Sequence, residues 1–265
     1  MEINDWFEWN GVRCTNYGMH ALTMPSFIRP NERMEQVTIP GKAGALTLLE
    51  GDEVYDALAL STSCVIDDPY GTDPNHPYAT TPIEQICGWL KGAGTVKFAN
   101  RREGYYKGRI ANQISFDQAV RGNPHRLFSV QFQCDPFFYL DSGNTSFTIT
   151  AESGASSTTQ LINNPGNISS MPLLVVSGTG EGTIMCGGST MIIDFAGDNS
   201  AIADIKLDCE AKIAYRGTAG SASDPLILYG TRVTGDWFKI PAGSSYFVIS
   251  GGITSVVVTP RWRCI

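Results

Sequence analysis

The sequence predicts a mainly β protein of two domains, the first of them carrying a single helix. Three observations carry that prediction. Phe128, Val130 and Phe132 alternate with Ser129, Gln131 and Gln133, the two-residue period of a half-buried strand. One stretch, residues 82–91, has apolar residues at helical spacing behind a capping signal. From Thr145 onward, short apolar runs recur between turn residues with no useful helical period, which is the pattern of a β-sandwich.

The totals agree with that class. At 265 residues the chain is long for a single domain, and two domains of ~130 residues are the natural division. Hydrophobic residues make up 42%, enough for real cores. The charged fraction of 17% is low against a norm of ~25%. A net charge of −7 argues against a dedicated nucleic-acid binder, whose footprint would be basic. Seven cysteines stand at 14, 64, 87, 134, 186, 209 and 264, never closer than 23 residues, so no zinc site is expected. Each has apolar neighbours, and they read as buried free thiols of a chain folded in a reducing cytosol. The acidic start, Met1-Glu-Ile-Asn-Asp-Trp-Phe7, has no signal-peptide character, and no run approaches the ~20 apolar residues of a membrane span.

Taken in order, Trp6–Gly11 reads as a strand turning at Asn10-Gly11. An irregular crossing segment lies between Pro25 and Pro30. A strand at Gln36–Ile39 then meets a glycine-containing loop, Pro40–Leu46, and Tyr55–Ile66 is a longer strand. The loop Asp67–Pro77 holds three aspartates and His76, but their spacing does not match a calcium loop, so no metal is assigned. Thr81 is placed as N-cap, Pro82 in the first turn and Glu84 as the capping-box partner. Ile83, Ile86, Cys87 and Leu90 form the apolar stripe, with Trp89 beside it. Strands at 95–99 and 105–110 are joined by a turn at Arg101–Gly104, and a further strand is expected at Asn112–Phe116. The strand through Phe132 should end at Asp135-Pro136, because proline lacks an N–H and restricts its predecessor.

Beyond that point strands are expected at 146–150, 171–176, 190–195, 202–209, 212–215, 226–229, 246–249 and 255–259. Leu173–Gly182 superficially matches a dinucleotide fingerprint. Its third glycine is misplaced and a strand follows, so a hairpin or loop is expected. Hydrolase, zincin and phosphate-loop motifs are absent, so no catalytic residue or cofactor is assigned and the chain is read as a non-enzyme. Charge is divided unevenly: residues 1–90 hold 13 acids against 4 Lys/Arg, a net of −9, and residues 91–126 hold 8 Lys/Arg against 2 acids, a net of +6. Such a split suits a basic patch for nucleic acid, or an acidic face on one subunit meeting a basic face on the next in a head-to-tail ring, and solvated surfaces without a partner give the same pattern.

The order of several motifs resembles that of the distal tail protein family of long, non-contractile phage tails, also called the phage tail-component family. The matching stretches are Phe7–Gly11, Ile39–Leu46, the helix ending in Trp89-Leu-Lys-Gly92, Gly104–Ile110, Phe132–Tyr139, Asn163–Leu173, Leu207-Asp-Cys209, Ile240–Ser244 and Val258–Arg263. The resemblance implies a ring-forming N-terminal β-domain, residues 1–138, and an outward-facing, galectin-like or carbohydrate-module-like sandwich, residues 139–265. It implies a homo-hexameric ring, single or stacked, between the tail tube protein and the tail-associated tip protein, in the virion after assembly in the host cytoplasm. DNA would pass through its channel without specific binding. The outer domain would dock a receptor-binding protein or a cell-surface sugar. Under this reading Arg101, Arg102, Lys107 and Arg109 meet Glu50, Asp52 and Glu53 across the ring interface, and Phe137, Phe138 and Tyr139 pack the joint between domains. The alternative is a lectin-like protein of host-surface adhesion, stacking sugars on Trp237, Tyr246 and Trp262.

Overall fold

A computed structural model describes residues 5–49, 53–66, 81–117, 126–195, 204–216 and 232–265. The chain is mostly strand with one α-helix among the described residues, and it divides into two compact units, Met1–Phe138 with Ile265, and Tyr139–Cys264.

The first unit is built on one sheet. Its strands in chain order are β1 (Phe7–Trp9), β2 (Val12–Arg13), β3 (Met19–Ala21), β4 (Met34–Thr38), β5 (Ala45–Leu49) and β6 (Leu58–Ile66). The helix α1 (Thr81–Trp89) precedes β7 (Ala93–Phe98), β8 (Arg101–Ile110) and β9 (Arg126–Leu140). The sheet runs β2-β1-β7-β8-β9-β6-β3. The β1–β2 turn has Asn10 at φ 51° and Gly11 at φ 79°, the left-handed pair that a two-residue hairpin requires. Along β9 the side chains of Phe128, Val130, Phe132 and Cys134 are buried and those between them exposed, as the two-residue period dictates. Phe132 is the centre of an aromatic core, with ring centroids 5.6 Å from Phe7, 5.5 Å from Trp9 and 5.8 Å from Phe98. Ile86 on α1 and Leu90 just after it are buried. Trp89 stacks on Phe7 and Tyr17 at 5.7 and 4.8 Å and donates its indole N–H to the Trp9 carbonyl. Those rings draw the helix over on its Trp89 side, so Cys87, expected in the stripe, is exposed.

Several local expectations are corrected. β9 does not stop at Asp135-Pro136 but runs to Leu140. Its pairing with β6 ends at Leu58↔Cys134, so Pro136 lies beyond the last β6 rung and takes no N–H from that ladder. The β7–β8 turn is at Ala99-Asn100, Phe98 facing Arg101, and the expected turn residues 101–104 begin β8 as an irregular bulge. Residues 112–116 form no strand. Asn112 instead clamps them to β9, donating Nδ2–H to the Ser129 carbonyl at 2.9 Å while Oδ1 accepts the Gln131 N–H at 2.7 Å. The side-chain amide thereby occupies the backbone groups that a ladder would use. Ala45 and Leu46, expected in a loop, begin β5, and β4 and β5 form a two-stranded sheet of their own.

The second unit is organised on two long strands that bend at the same place. Its strands are β10 (Phe147–Thr150), β11 (Ser157–Asn164), β12 (Leu173–Cys186), β13 (Ser189–Asp194), β14 (Asp204–Asp208), β15 (Ile213–Tyr215), β16 (Val233–Gly235) and β17 (Gly243–Thr259). β12 and β17 pair antiparallel along most of their length, with register breaks between Ser177 and Gly182. On one side of the break β10, β17, β12, β14 and β15 lie in order, and on the other β11, β17, β12, β13 and β16. The bend folds the two halves onto one core in which Leu174, Val176, Ile205 and Leu207 meet Ile184, Met191, Ile193 and Phe247. Glycine is required there: a Cβ on Gly252 would lie 1.6 Å from the Thr179 carbonyl oxygen, and one on Gly178 2.5 Å from that of Gly252. Ser177–Gly182 is therefore a mid-strand bulge, not a separate hairpin or loop. The strand expected at 226–229, the loop 67–77, His76 and His125 lie outside the described residues.

Candidate functional site

The expected interface residues fall into two groups. Lys107 and Arg109 alternate with Gly108 on β8 and line an open trough of about 610 Å³, together with Ala57, Ala93, Gly94, Thr95, Gln133, Cys134 and Asp135. The trough exists because β7, β8 and the residue before β6 present alanine and glycine there, leaving the sheet surface low. Arg109 is held across the strands by Gln133, whose Oε1 accepts from Nη2 at 2.7 Å and Nε at 3.1 Å. Burial pushes the Cys134 thiol up to about 12, with the Asp135 charge adding to the shift, so it stays protonated on the buried face of β9.

Arg101 and Arg102 serve the unit's own packing. The Arg101 guanidinium sits 3.5 Å from the Phe138 ring centroid, donates to the Tyr106 hydroxyl at 2.7 Å and pairs with Glu103 at 3.4 Å. Arg102 donates Nε–H to the Ala99 carbonyl at 3.1 Å and lies 5.5 Å from the Trp6 ring. Of the acidic candidates, Glu50 and Asp52 lie outside the described residues. Glu53 is half-buried at φ 60°, just before the bridge between Tyr55 and Glu32 that begins the β4–β5 stem.

The stem carries the hairpin clear of the rest of the unit. Every residue from Met34 to Leu46 is exposed. Val37 and Leu46 are cross-strand partners, 36% and 39% exposed, and Ile39 at the strand end is 40% exposed. Glu35 shares their face by the two-residue period. The sequence hid this hairpin because Gly41 and Gly44 read as loop residues rather than as the positive-φ corners of a turn, at 81° and 83°.

The joint aromatics divide between the units. The Phe137 ring meets Tyr55 edge-on at 6.0 Å, and Phe138 packs on Tyr106 at 5.0 Å, both within the first unit. In the second unit the Tyr139 hydroxyl donates to Glu210 at 2.6 Å. Arg261, which the sequence did not single out, completes that cluster. Its two terminal nitrogens donate to the Asp208 carboxylate at 2.8 and 3.0 Å, and one reaches Glu210 at 3.3 Å. Burial alone would raise the Asp208 carboxyl. The Arg261 guanidinium and the N–H groups of Ala211 and Glu210 outweigh burial and hold it below its ordinary value.

The aromatics expected to stack sugars do not form one surface. Trp262 is buried, Trp237 packs against the second core, and Tyr246 alone is open, at 65%. Tyr246 pairs with Leu161 on a sheet face that also holds Met185 and Ile192, all exposed. His20 meets Asp5 at 2.6 Å within the first unit. Among the described residues no three His, Cys, Asp or Glu side chains gather in a metal-holding arrangement, and no helix is long and apolar enough to cross a membrane.

No family model and no curated protein sequence matches the chain. A solved structure does. The crystal structure of SPP1 Dit (gp 19.1), described as a paradigm of hub adsorption apparatus in phages infecting Gram-positive bacteria, aligns with a TM-score of 0.64 at 15% identity. The alignment covers 96% of this chain and 97% of that one, so the two share a fold across both units.

Proposed function

We propose that this chain is a structural protein of a long, non-contractile phage tail, the hub at the distal end of the tail tube. The observation that carries the reading is the fold shared with a phage hub protein over 96% of the chain, supported by the collinear motifs that suggested that family. In this role the first unit forms a homo-hexameric ring that joins the tube to the tip. The second unit faces outward and holds a receptor-binding protein, and the ring channel passes DNA without reading it. No chemistry is assigned to the chain, which acts by shape and contact. Light scattering on the purified protein tests the reading: a mass of six copies of the 28.7 kDa chain, or twelve for a stacked pair of rings, is expected. A monomer at all concentrations and ionic strengths contradicts it.

A second reading, sugar binding by the outward unit, has one observation in its favour, the exposed Tyr246 on a sheet face with Leu161, Met185 and Ile192. A glycan array read with the native chain and Tyr246→Ala decides it. Signal lost in the variant supports adhesion, and no signal removes the idea.

A further inference from the structure

Two features of the first unit are each incomplete and are complementary to one another. A two-stranded hairpin is at best marginally stable in water, yet β4–β5 stands as a separate sheet with every residue from Met34 to Leu46 exposed. Its Val37–Leu46 face, extended by Ile39, is apolar and carries Glu35 at one end. The trough over β7, β8 and β9 has the opposite character. Its floor is alanine and glycine, and its rim carries Lys107 and Arg109, with Asp135 beside them. The hairpin does not lie in the trough of its own chain, since all its described side chains are exposed.

We propose that the β4–β5 hairpin of one copy seats its Val37–Leu46 face in the β7–β8–β9 trough of a second copy, with Glu35 directed to Lys107 and Arg109. This rests on the ring reading and names the contact that closes it. Because donor and acceptor surfaces differ, the contact is head-to-tail, the kind that propagates around a ring rather than stopping at a dimer. Burying the hairpin face would also supply the third layer that an isolated hairpin lacks. The apolar floor gives the contact its affinity, and the charged rim fixes its direction and register.

The test is a disulfide between Leu46→Cys and Ala93→Cys on a Cys87→Ser background, which removes the exposed native thiol of the described residues. Mild oxidation followed by a non-reducing denaturing gel should give a ladder of linked chains up to six, and neither single-cysteine variant should. No ladder from a protein that light scattering still reports as six copies overturns the hairpin contact and leaves the ring reading standing. A link confined to single chains overturns it as well, because the hairpin would then fill its own trough. A native chain that is monomeric removes the ring reading and this contact together. In a second arm, Val37→Asp with Leu46→Asp should weaken association at least tenfold with an unchanged circular dichroism spectrum. Unchanged association there also overturns the proposal.

Discussion

At the residue scale, side chains that look alike in the sequence do different work. Arg101 and Arg109 are both basic residues of β8, yet the first is pressed on the Phe138 ring and the second lies on an open trough. Arg101→Glu should therefore destabilise the first unit by about 2 kcal/mol, through the lost cation–π contact and the stranded Tyr106 hydroxyl. Thermal unfolding would read this as a lower midpoint. Lys107→Glu with Arg109→Glu should leave that midpoint nearly unchanged and weaken assembly, most strongly at low salt where surface charges are least screened. If the two substitutions behave alike, the division between packing and interface is wrong.

The Arg261 cluster makes a pH-dependent prediction. Asp208 is held below its ordinary value in the fold, so its contribution is fully present above the unfolded carboxylate range and is lost as pH falls through the depressed folded value. Arg261→Ala should cost about 2 kcal/mol near neutral pH, because it leaves the partly buried carboxylates of Asp208 and Glu210 without their cation. Its stability difference from the native chain should shrink in acid. A difference that stays constant from pH 7 to pH 2 would show that Arg261 acts through packing alone.

At the element scale, what could be read from the sequence depended on whether one face of an element is buried. β9 was legible because Phe128, Val130, Phe132 and Cys134 are all apolar and all buried. β11 was not, because two of its three buried positions are Thr158 and Asn164 and Gln160 between them is exposed, so its buried face is not an apolar one. Asn164 is inside because its side-chain amide donates to the Ile168 and Ile240 carbonyls, a long-range circumstance that no local pattern contains. The two halves of β17 read as separate strands because Gly251 and Gly252 look like a turn. They are a bend, and the bend is what makes a sandwich from two long strands. Gly252→Ala should cost about 3 kcal/mol or more, since its Cβ would meet a backbone carbonyl that has no rotamer to escape to. Gly154→Ala, strained at φ 79° but in open space, should cost only about 1 kcal/mol. Denaturant midpoints of the two variants would compare them, and equal losses would contradict the account of the bend.

At the scale of the whole molecule, the alternation of Phe128, Val130 and Phe132 and the capped stretch at 82–91 are legible as a mainly β first unit with one helix, and the fold shared with a phage hub protein spans both units. The trough and the hairpin were less legible than the charge split that drew attention to the region. A trough is made by small residues brought together from β7, β8 and the start of β6, and none of Ala57, Ala93 or Gly108 is conspicuous in its own stretch. Charge counting placed Arg101 with Lys107 and Arg109 for the same reason: it sees the residue type and not the direction of the side chain. The proposed hub function turns on how copies of the chain meet, and a negative-stain image of the purified chain tests that most directly. The account predicts six-fold rings with an open centre and peripheral lobes. A field of single particles with no rotational symmetry, from protein that is folded by circular dichroism, would contradict it.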